Sequence, residues 1–96
     1  MWAERVRRQA RRLRVGRGFF EAQLLLADGS FLHFRHDPHT RWVQAWAPEA
    51  GGAAPELVPR IERFRLNRRH LEVWFDDGSH LEVRLGALGT RFRTHE

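Results

Sequence analysis

Two stretches of the chain alternate between apolar and polar residues with the period of a β-strand. Residues 21–35 read EAQLLLADGSFLHFR and residues 70–84 read HLEVWFDDGSHLEVR, and each contains an Asp-Gly-Ser triplet between its two alternating halves. A period of two that is interrupted by turn residues is typical of a β-hairpin. We therefore predict two hairpins of the same kind, about fifty residues apart.

The length of the turn decides which side chains share a face of each hairpin. A three-residue loop closed by Gly78 in the left-handed conformation, as in a type I turn followed by a bulge, places Val73 opposite Leu81 and Trp74 opposite His80. A two-residue turn would instead mix apolar and charged residues on one face, so the three-residue loop is preferred. The other predicted pairs are Leu71–Val83, Leu24–Leu32 and Ala22–Phe34 on the inner face, and Glu72–Glu82, Leu25–Phe31, Gln23–His33 and Glu21–Arg35 on the outer face.

The segments that flank the hairpins are also similar, which indicates an internal repeat. RLRVG at 12–16 precedes the first hairpin as RFRLN at 63–67 precedes the second, and TRW at 40–42 resembles TRF at 90–92. Each unit is expected to be a short strand, a hairpin, and then a fourth strand or a short helix. The predicted strands lie near 12–15, 19–27, 30–36, 41–46, 60–66, 69–75 and 79–85.

The predicted fold is mainly β with an N-terminal helix, an α+β class. In it, two duplicated antiparallel β-meanders pack as one small sandwich or open barrel. Apolar residues recur at about one-turn spacing between Trp2 and Leu13, which predicts a helix over 3–11. The whole chain, 1–96, is expected to be a single domain. Its parts are a basic N-terminal arm or helix at 1–17, a first β unit at 18–46, a linker rich in Pro, Gly and Ala at 47–59, and a second β unit at 60–96.

Charge is concentrated at the N-terminus. Residues 1–17 hold seven arginines against one glutamate, a net charge of +6, whereas residues 18–96 carry a net charge of −1. An asymmetry of this kind is typical of a segment that contacts a polyanion, so nucleic-acid binding is an alternative function. The arginines concerned are Arg5, Arg7, Arg8, Arg11, Arg12, Arg14 and Arg17.

Residue usage points to a source and a compartment. Every basic charge is an arginine, and lysine, tyrosine and cysteine are absent, which is typical of a bacterium with a GC-rich genome. Without cysteine, disulfides and thiolate metal sites are excluded. No apolar run approaches the ~20 residues of a membrane span, and the N-terminus lacks the apolar core of a secretory signal, so a cytoplasmic location is expected.

Residues 33–39, HFRHDPH, hold three histidines and an aspartate, which are candidate metal ligands. Strand geometry sends His33 and His36 to opposite faces, so only His36, Asp37 and His39 could converge, around the turn. Histidines at a strand end and on the surface are the favoured interpretation. We therefore expect no metal or other cofactor, and a small hydrolase or metal-dependent enzyme is the least favoured function.

Large apolar residues on the predicted outer faces indicate a binding function. A sheet surface that faces water normally carries polar residues at these positions. Large apolar side chains there are therefore expected to be buried by another part of the protein or by another chain. The N-terminal helix could cover one copy through Trp2, Val6 and Leu13, and the other copy would then meet a second chain. We predict a non-enzymatic module for protein–protein association, as a homodimer or on a partner protein, with no catalytic residue. The candidate interaction residues are Leu25, Phe31, Trp42, Trp46, Trp74 and His80.

The sequence of the second hairpin and its flanks is similar to that of other small domains. The stretch RLNRRHLEVWFDDGSHLEVRLGAL at residues 65–88 resembles small uncharacterised bacterial domains built on a strand, an Asp-Gly turn and a second strand. The resemblance covers about a quarter of the chain. It implies a hairpin-based fold, and it implies no activity and no site residues.

Overall fold

The computed structural model describes residues 1–16, 18, 20–36, 39–46 and 52–96, with the side chains of 44–46 excepted. This part of the chain contains two α-helices, a 3₁₀ turn at Val58–Arg60 and eight strands. In chain order the elements are α1 (Trp2–Gln9), β1 (Ala10–Val15), β2 (Glu21–Leu26), β3 (Phe31–His36), β4 (Arg41–Trp46), α2 (Ala53–Leu57), β5 (Ile61–Asn67), β6 (His70–Phe75), β7 (His80–Gly86) and β8 (Gly89–His95).

The strands form two four-stranded antiparallel sheets. The first sheet has the order β1-β2-β3-β4 and the second sheet has the order β5-β6-β7-β8, so each is a meander. β1 lies against β7 and β8 of the second sheet, and β3 lies against β5. The predicted fold class, an N-terminal helix with two antiparallel meanders packed together, is confirmed.

Both hairpins have the predicted register. In the second hairpin Val73 lies opposite Leu81, and every other predicted pair of the two hairpins is also present. The φ angles of Gly29 and Gly78 are 87° and 84°. This is the left-handed conformation that closes a three-residue loop. The turn chemistry of the Asp-Gly-Ser triplet therefore fixes which face of each sheet meets the core.

The inner faces of both sheets and both helices share one core. Val6 of α1 and Leu13 of β1 are buried in the same cluster as Val73 and Leu81 of the second sheet. The expectation that Trp2, Val6 and Leu13 cover an outer face is therefore wrong. The helix α1 packs against β6, β7 and β8, and its buried residues Ala3 and Val6 belong to the core between the sheets.

The structure differs most from the sequence predictions in three parts of the chain. The helix ends at Gln9 rather than residue 11, because Ala10 pairs with Leu26 and starts β1. β8 was not among the predicted strands, since its half-buried Thr90, Phe92 and Thr94 give a weak apolar alternation. Of the predicted linker, residues 47–51 lie outside the described part, and the remainder contains α2 and the 3₁₀ turn.

The two units repeat each other down to their irregularities. A bulge interrupts the pairing of β1 with β2 between Ala10 and Arg12, and an equivalent bulge interrupts the pairing of β5 with β6 between Ile61 and Arg63. α2 and its 3₁₀ turn lead into Ile61 as α1 leads into Ala10. Each unit is thus a helical segment followed by four strands.

The first N–H group of each α-helix donates a hydrogen bond to an aspartate carboxylate of the other unit. The Trp2 N–H donates to Asp77 Oδ2 at 2.7 Å, and the Ala53 N–H donates to Asp28 Oδ2 at 2.8 Å. The Oδ1 atom of each aspartate accepts the N–H of the serine two residues later, at 2.9 Å. Hydrogen bonds from that serine's hydroxyl, then from the helix N–H, lower the pKa of both aspartates to about 2. The Asp-Gly-Ser triplet is therefore both a turn and a helix cap.

Candidate functional site

Side chains on the outer face of the second sheet form rows that cross all four strands. Because successive residues of a strand point to opposite faces, each row contains every second residue of each strand. The first row is Arg63, Trp74, His80 and His95, and the second row is Arg65, Glu72, Glu82 and Arg93.

The first row is a continuous stack of flat groups. The guanidinium carbon of Arg63 lies 4.1 Å from the centre of a Trp74 ring. The Trp74 and His80 rings are 4.5 Å apart and 7° from parallel, and the His80 and His95 rings are 5.2 Å apart at 23°. Stacking of this kind is favourable and restricts the ring planes. The row therefore holds the imidazole rings of His80 and His95 face to face, in defined orientations.

The carboxylate of Glu82 lies between two histidines. Its Oε1 is 3.3 Å from His95 Nε2, and its Oε2 is 3.8 Å from His70 Nε2. Glu72 Oε1 lies 3.5 Å from the same His70 nitrogen. The side chains of Glu72 and Glu82 are only 16% and 19% exposed. We call these residues, His70, Glu72, His80, Glu82 and His95, the histidine–glutamate cluster.

The imidazoles of this cluster are poorly satisfied by the protein. The Nε2 atoms of His70 and His80 are buried and have no hydrogen-bond partner within the described structure. The contacts of 3.5 and 3.8 Å between His70 and the carboxylates do not count as hydrogen bonds. Burial lowers the pKa of His80, and the nearby Glu72 opposes this shift in part. The neutral imidazole offers a lone pair on one ring nitrogen.

The outer face of the first sheet carries different chemistry at the equivalent positions. Phe31 is half-buried, and the backbone of Trp46 pairs with it, although the side chain of Trp46 lies outside the described residues. His33 Nε2 lies 3.2 Å from Glu21 Oε2. The ring of His33 meets that of Trp42 edge to face at 5.2 Å. This face therefore has one histidine–carboxylate pair among aromatic rings.

The predicted interaction residues fall on two separate faces. Leu25, Phe31 and Trp42 lie half-buried on the outer face of the first sheet, and Trp74 and His80 lie half-buried on that of the second sheet. Because the sheets share a core between them, their outer faces point away from each other. The sequence thus identified two patches, and the structure does not join them into one surface.

His33 and His36 lie on opposite faces of β3, and the predicted set of His36, Asp37 and His39 includes a residue outside the described part of the chain. His36 is on the inner face, with its ring 6.2 Å from that of Phe20 and 6.5 Å from that of Phe64. His39 is exposed, and Asp37 lies outside the described residues. Wherever the structure describes the chain, the donor groups close enough to hold a metal lie on the second sheet, and they include neither His36 nor His39.

The N-terminal arginines lie on α1 and β1. Arg5 stacks over the Trp2 ring at 4.4 Å, and Arg7 stacks over the Phe92 ring at 5.7 Å. Arg17 lies outside the described residues. The other arginines of this segment are Arg8, Arg11, Arg12 and Arg14, all exposed.

The sequence interpretation missed the histidine–glutamate cluster because the fourth element of the second unit was left open, as a strand or a short helix without bounds. The predicted register already placed Glu72 opposite Glu82 and Trp74 opposite His80. His95 joins them only because β8 pairs with β7 and brings His95 opposite His80. The match of TRF at 90–92 to TRW at 40–42 is the sequence signal that favours a strand here, although it does not give the register that places His95 opposite His80.

Comparison with protein-family models, with curated proteins and with solved structures gives no match for this chain. In the described part, neither helix has the length and the apolar composition that crossing a membrane requires. A function for the protein therefore has to be argued from the chemistry of its two outer faces.

Proposed function

We propose that the protein is a non-enzymatic binding module that associates with a second copy of itself through the outer face of the first sheet. The supporting observation is the pair Leu25 and Phe31, which lie opposite each other on the side of the sheet away from the core. Large apolar residues in such a place favour burial against another chain. A two-fold axis would bury the same patch on both copies.

The first sheet is a better candidate than the second for this contact. On the second sheet, the position of Leu25 is taken by Trp74, whose ring is already covered by Arg63 on one side and His80 on the other. Leu25 and Phe31 are both apolar, whereas the matching pair on the second sheet includes a histidine, and Trp42 lies on the same face as Leu25 and Phe31. Burial of the first face therefore removes apolar side chains from water without desolvating an imidazole at this place, which is favourable.

The proposal that the protein is not an enzyme is supported by the positions of the serines in the two Asp-Gly-Ser triplets. Ser30 and Ser79 are 1% and 2% exposed, and each donates its hydroxyl to the aspartate of its own turn. A buried hydroxyl that is bonded to a structural carboxylate is unsuited to attack a substrate. A bacterial cytoplasm as the location belongs to the same proposal and rests on residue usage and the N-terminal sequence.

The test is the solution mass of wild type and two variants by light scattering over a concentration series. We expect wild type to be a dimer and Phe31→Glu to be a monomer with an unchanged circular dichroism spectrum. The control is Arg91→Glu, which changes a charge at an exposed position on the outer face of the second sheet, away from the apolar pair, and it should remain a dimer. A monomeric wild type at all concentrations, or a dimeric Phe31→Glu, would refute the proposal.

Nucleic-acid binding is a second candidate, and the positions of Arg12 and Arg14 favour it. Both are exposed on the edge strand β1, opposite Leu25 and Gln23, and they share the outer face with the aromatic residues of β3 and β4, from which β2 separates them. Guanidinium groups and aromatic rings on one face are suited to phosphates and unstacked bases.

A single-stranded oligonucleotide titrated over a salt series tests this candidate. Binding should weaken steeply with salt, and Arg12→Gln with Arg14→Gln should reduce both the affinity and the salt dependence. The matched control is Arg63→Gln with Arg65→Gln, at the equivalent places of β5. Equal losses in the two double variants would show a general charge effect and exclude a site on the first sheet.

A further inference from the structure

We propose that His80, Glu82 and His95 bind one divalent transition-metal ion, with Zn²⁺ as the representative ion, on the outer face of the second sheet. The three side chains offer donor atoms that all lie within 4.8 Å of one another. The site is distinct from the proposed association surface, which lies on the other sheet. The donors also form a set, two imidazoles and one carboxylate, that suits such ions.

The spacing of two of the donors already matches that of ligands on a single ion. Bonds of about 2.0–2.1 Å in a tetrahedral arrangement hold two ligand atoms roughly 3.3 Å apart. His95 Nε2 and Glu82 Oε1 are 3.3 Å apart. The His80 donor lies within 4.8 Å of both, and rotation about its side-chain torsions can shorten that separation.

The strand geometry brings these three residues together. His80 and Glu82 are two residues apart on β7 and so share a face. His95 lies directly opposite His80 on β8. The His80 ring stacks between the Trp74 and His95 rings. Because the lone pairs of stacked imidazoles lie in nearly parallel planes, binding of one ion requires one of the two histidine rings to turn out of the stack.

One nitrogen atom of the proposed site has no hydrogen-bond partner among the described residues. His80 Nε2 is buried and makes no hydrogen bond to any described residue. Buried polar atoms without a partner are unusual, because loss of hydration is then uncompensated. A metal ion bound to an imidazole nitrogen supplies that compensation.

The remaining residues of the cluster support the carboxylate. The second oxygen of Glu82 faces His70, which in turn lies 3.5 Å from Glu72. At these separations the contacts are not hydrogen bonds, but a small movement of the His70 ring would let it hydrogen-bond to Glu82 and orient that ligand. Arg65 and Arg93 stand opposite Glu72 and Glu82 in the register, yet neither forms an ion pair within 4.0 Å with these carboxylates in the described structure. The negative charge thus remains available to a cation.

Three protein ligands leave a fourth position of a tetrahedral ion free. A water molecule or a group from a bound molecule can occupy that position. Because the side chain of His95 is 43% exposed, the site is accessible from solvent.

The first sheet supplies a natural control. The residues equivalent to His80, Glu82 and His95 are Phe31, His33 and Trp46, so only one of the three can ligate a metal. His33 has a carboxylate neighbour, Glu21, at 3.2 Å. A lone histidine–glutamate pair therefore exists in the same chain, on the same kind of surface.

The experiment is calorimetric titration of Zn²⁺ into untagged full-length protein that has been treated with chelator and then freed of it. We expect saturation at one ion per chain. His80→Ala and His95→Gln should each weaken binding by at least about tenfold, since a ligand should matter no less than an outer-shell partner. His33→Gln should bind as wild type does. Co²⁺ provides a second readout, because its visible absorption reports the ligand set and should change in His95→Gln.

Three results would overturn the proposal. They are the absence of saturable binding, an unchanged affinity in His95→Gln, and an equal loss in His33→Gln. Circular dichroism of each variant checks that the fold is kept. If His80→Ala unfolds because its stack is lost, the exposed His95 carries the test alone.

Discussion

The two sheets are alike on the inside and unlike on the outside. Both have four strands in sequential order, the same hairpin register and the same bulge in the first pair of strands. Their outer faces differ at matching positions. The first sheet has Leu25 and Phe31 where the second sheet has Trp74 and His80, and it has His33 where the second has Glu82.

This difference shows which positions the fold constrains. Inner-face residues must fill a core that both units share, and the Asp-Gly-Ser turns must both reverse the chain and cap a helix of the other unit. Both demands apply equally to the two copies. The outer faces carry neither demand, so one copy is free to keep an apolar pair while the other accumulates histidines and carboxylates. Function in this molecule is therefore expected on the faces where the copies differ.

The largest expected effect on stability comes from truncation of a core leucine in either unit. It tests whether the two units contribute equally to one core. Leu32 and Leu81 are equivalent inner-face residues, 1% and 0% exposed. Leu32→Ala and Leu81→Ala should each lower the free energy of unfolding by about 2–5 kcal/mol. Unfolding in urea, followed by circular dichroism and tryptophan fluorescence, should remain a single transition in both variants. Two separate transitions would mean that the units are independent and that the caps between them are unimportant.

Much of this fold follows from local rules, and the cluster does not. The register around Gly29 and Gly78 follows from turn chemistry and from the separation of apolar and polar faces, and it was predicted correctly. The helix was extended too far because apolar spacing cannot reveal that Ala10 pairs with Leu26. The donor set needed β8, and His95 carries no local signal that it lies opposite His80. Long-range pairing is the part of the structure that a local pattern leaves open.

A smaller effect sharpens the comparison of the two turns. Gly29 and Gly78 have φ angles of 87° and 84°, and an added Cβ at Gly78 would meet no atom within 4 Å. Gly78→Ala and Gly29→Ala should therefore each cost about 1–2 kcal/mol from backbone conformation alone. Gly86→Ala is the control, since its Cβ would make only an ordinary contact of 3.5 Å with the Gly89 carbonyl. Thermal melts that show equal losses in all three variants would contradict the role of the left-handed conformation.

A further comparison concerns the two serines of the triplets. Ser79 Oγ accepts the Ala3 N–H at 3.0 Å, whereas Ser30 makes no matching bond to Ala54 in the described structure. Ser79→Ala should therefore lower the melting temperature more than Ser30→Ala does, because the first change also leaves a helix N–H of α1 without a partner. Equal shifts in differential scanning calorimetry would show that the two caps are equivalent after all.

The last prediction concerns the two aspartates that cap the helices. Their replacement should change the free energy of unfolding least at neutral pH and most clearly in acid. The folded-state pKa values of Asp28 and Asp77 are about 2, below the usual 3.8, first because of the serine hydroxyls and then because of backbone N–H donors. A carboxyl group whose pKa is lower in the folded state adds stability above pH 3.8, and that contribution is lost as the pH falls toward 2. The free energy of unfolding of wild type should therefore fall steeply across this interval. Asp28→Asn with Asp77→Asn should flatten the fall, while Asp76→Asn, whose carboxylate contacts Arg60 at 3.5 Å and caps no helix among the described residues, should keep it. A wild-type slope in the double variant would mean that the two cross-unit caps contribute nothing to the acid stability of the fold.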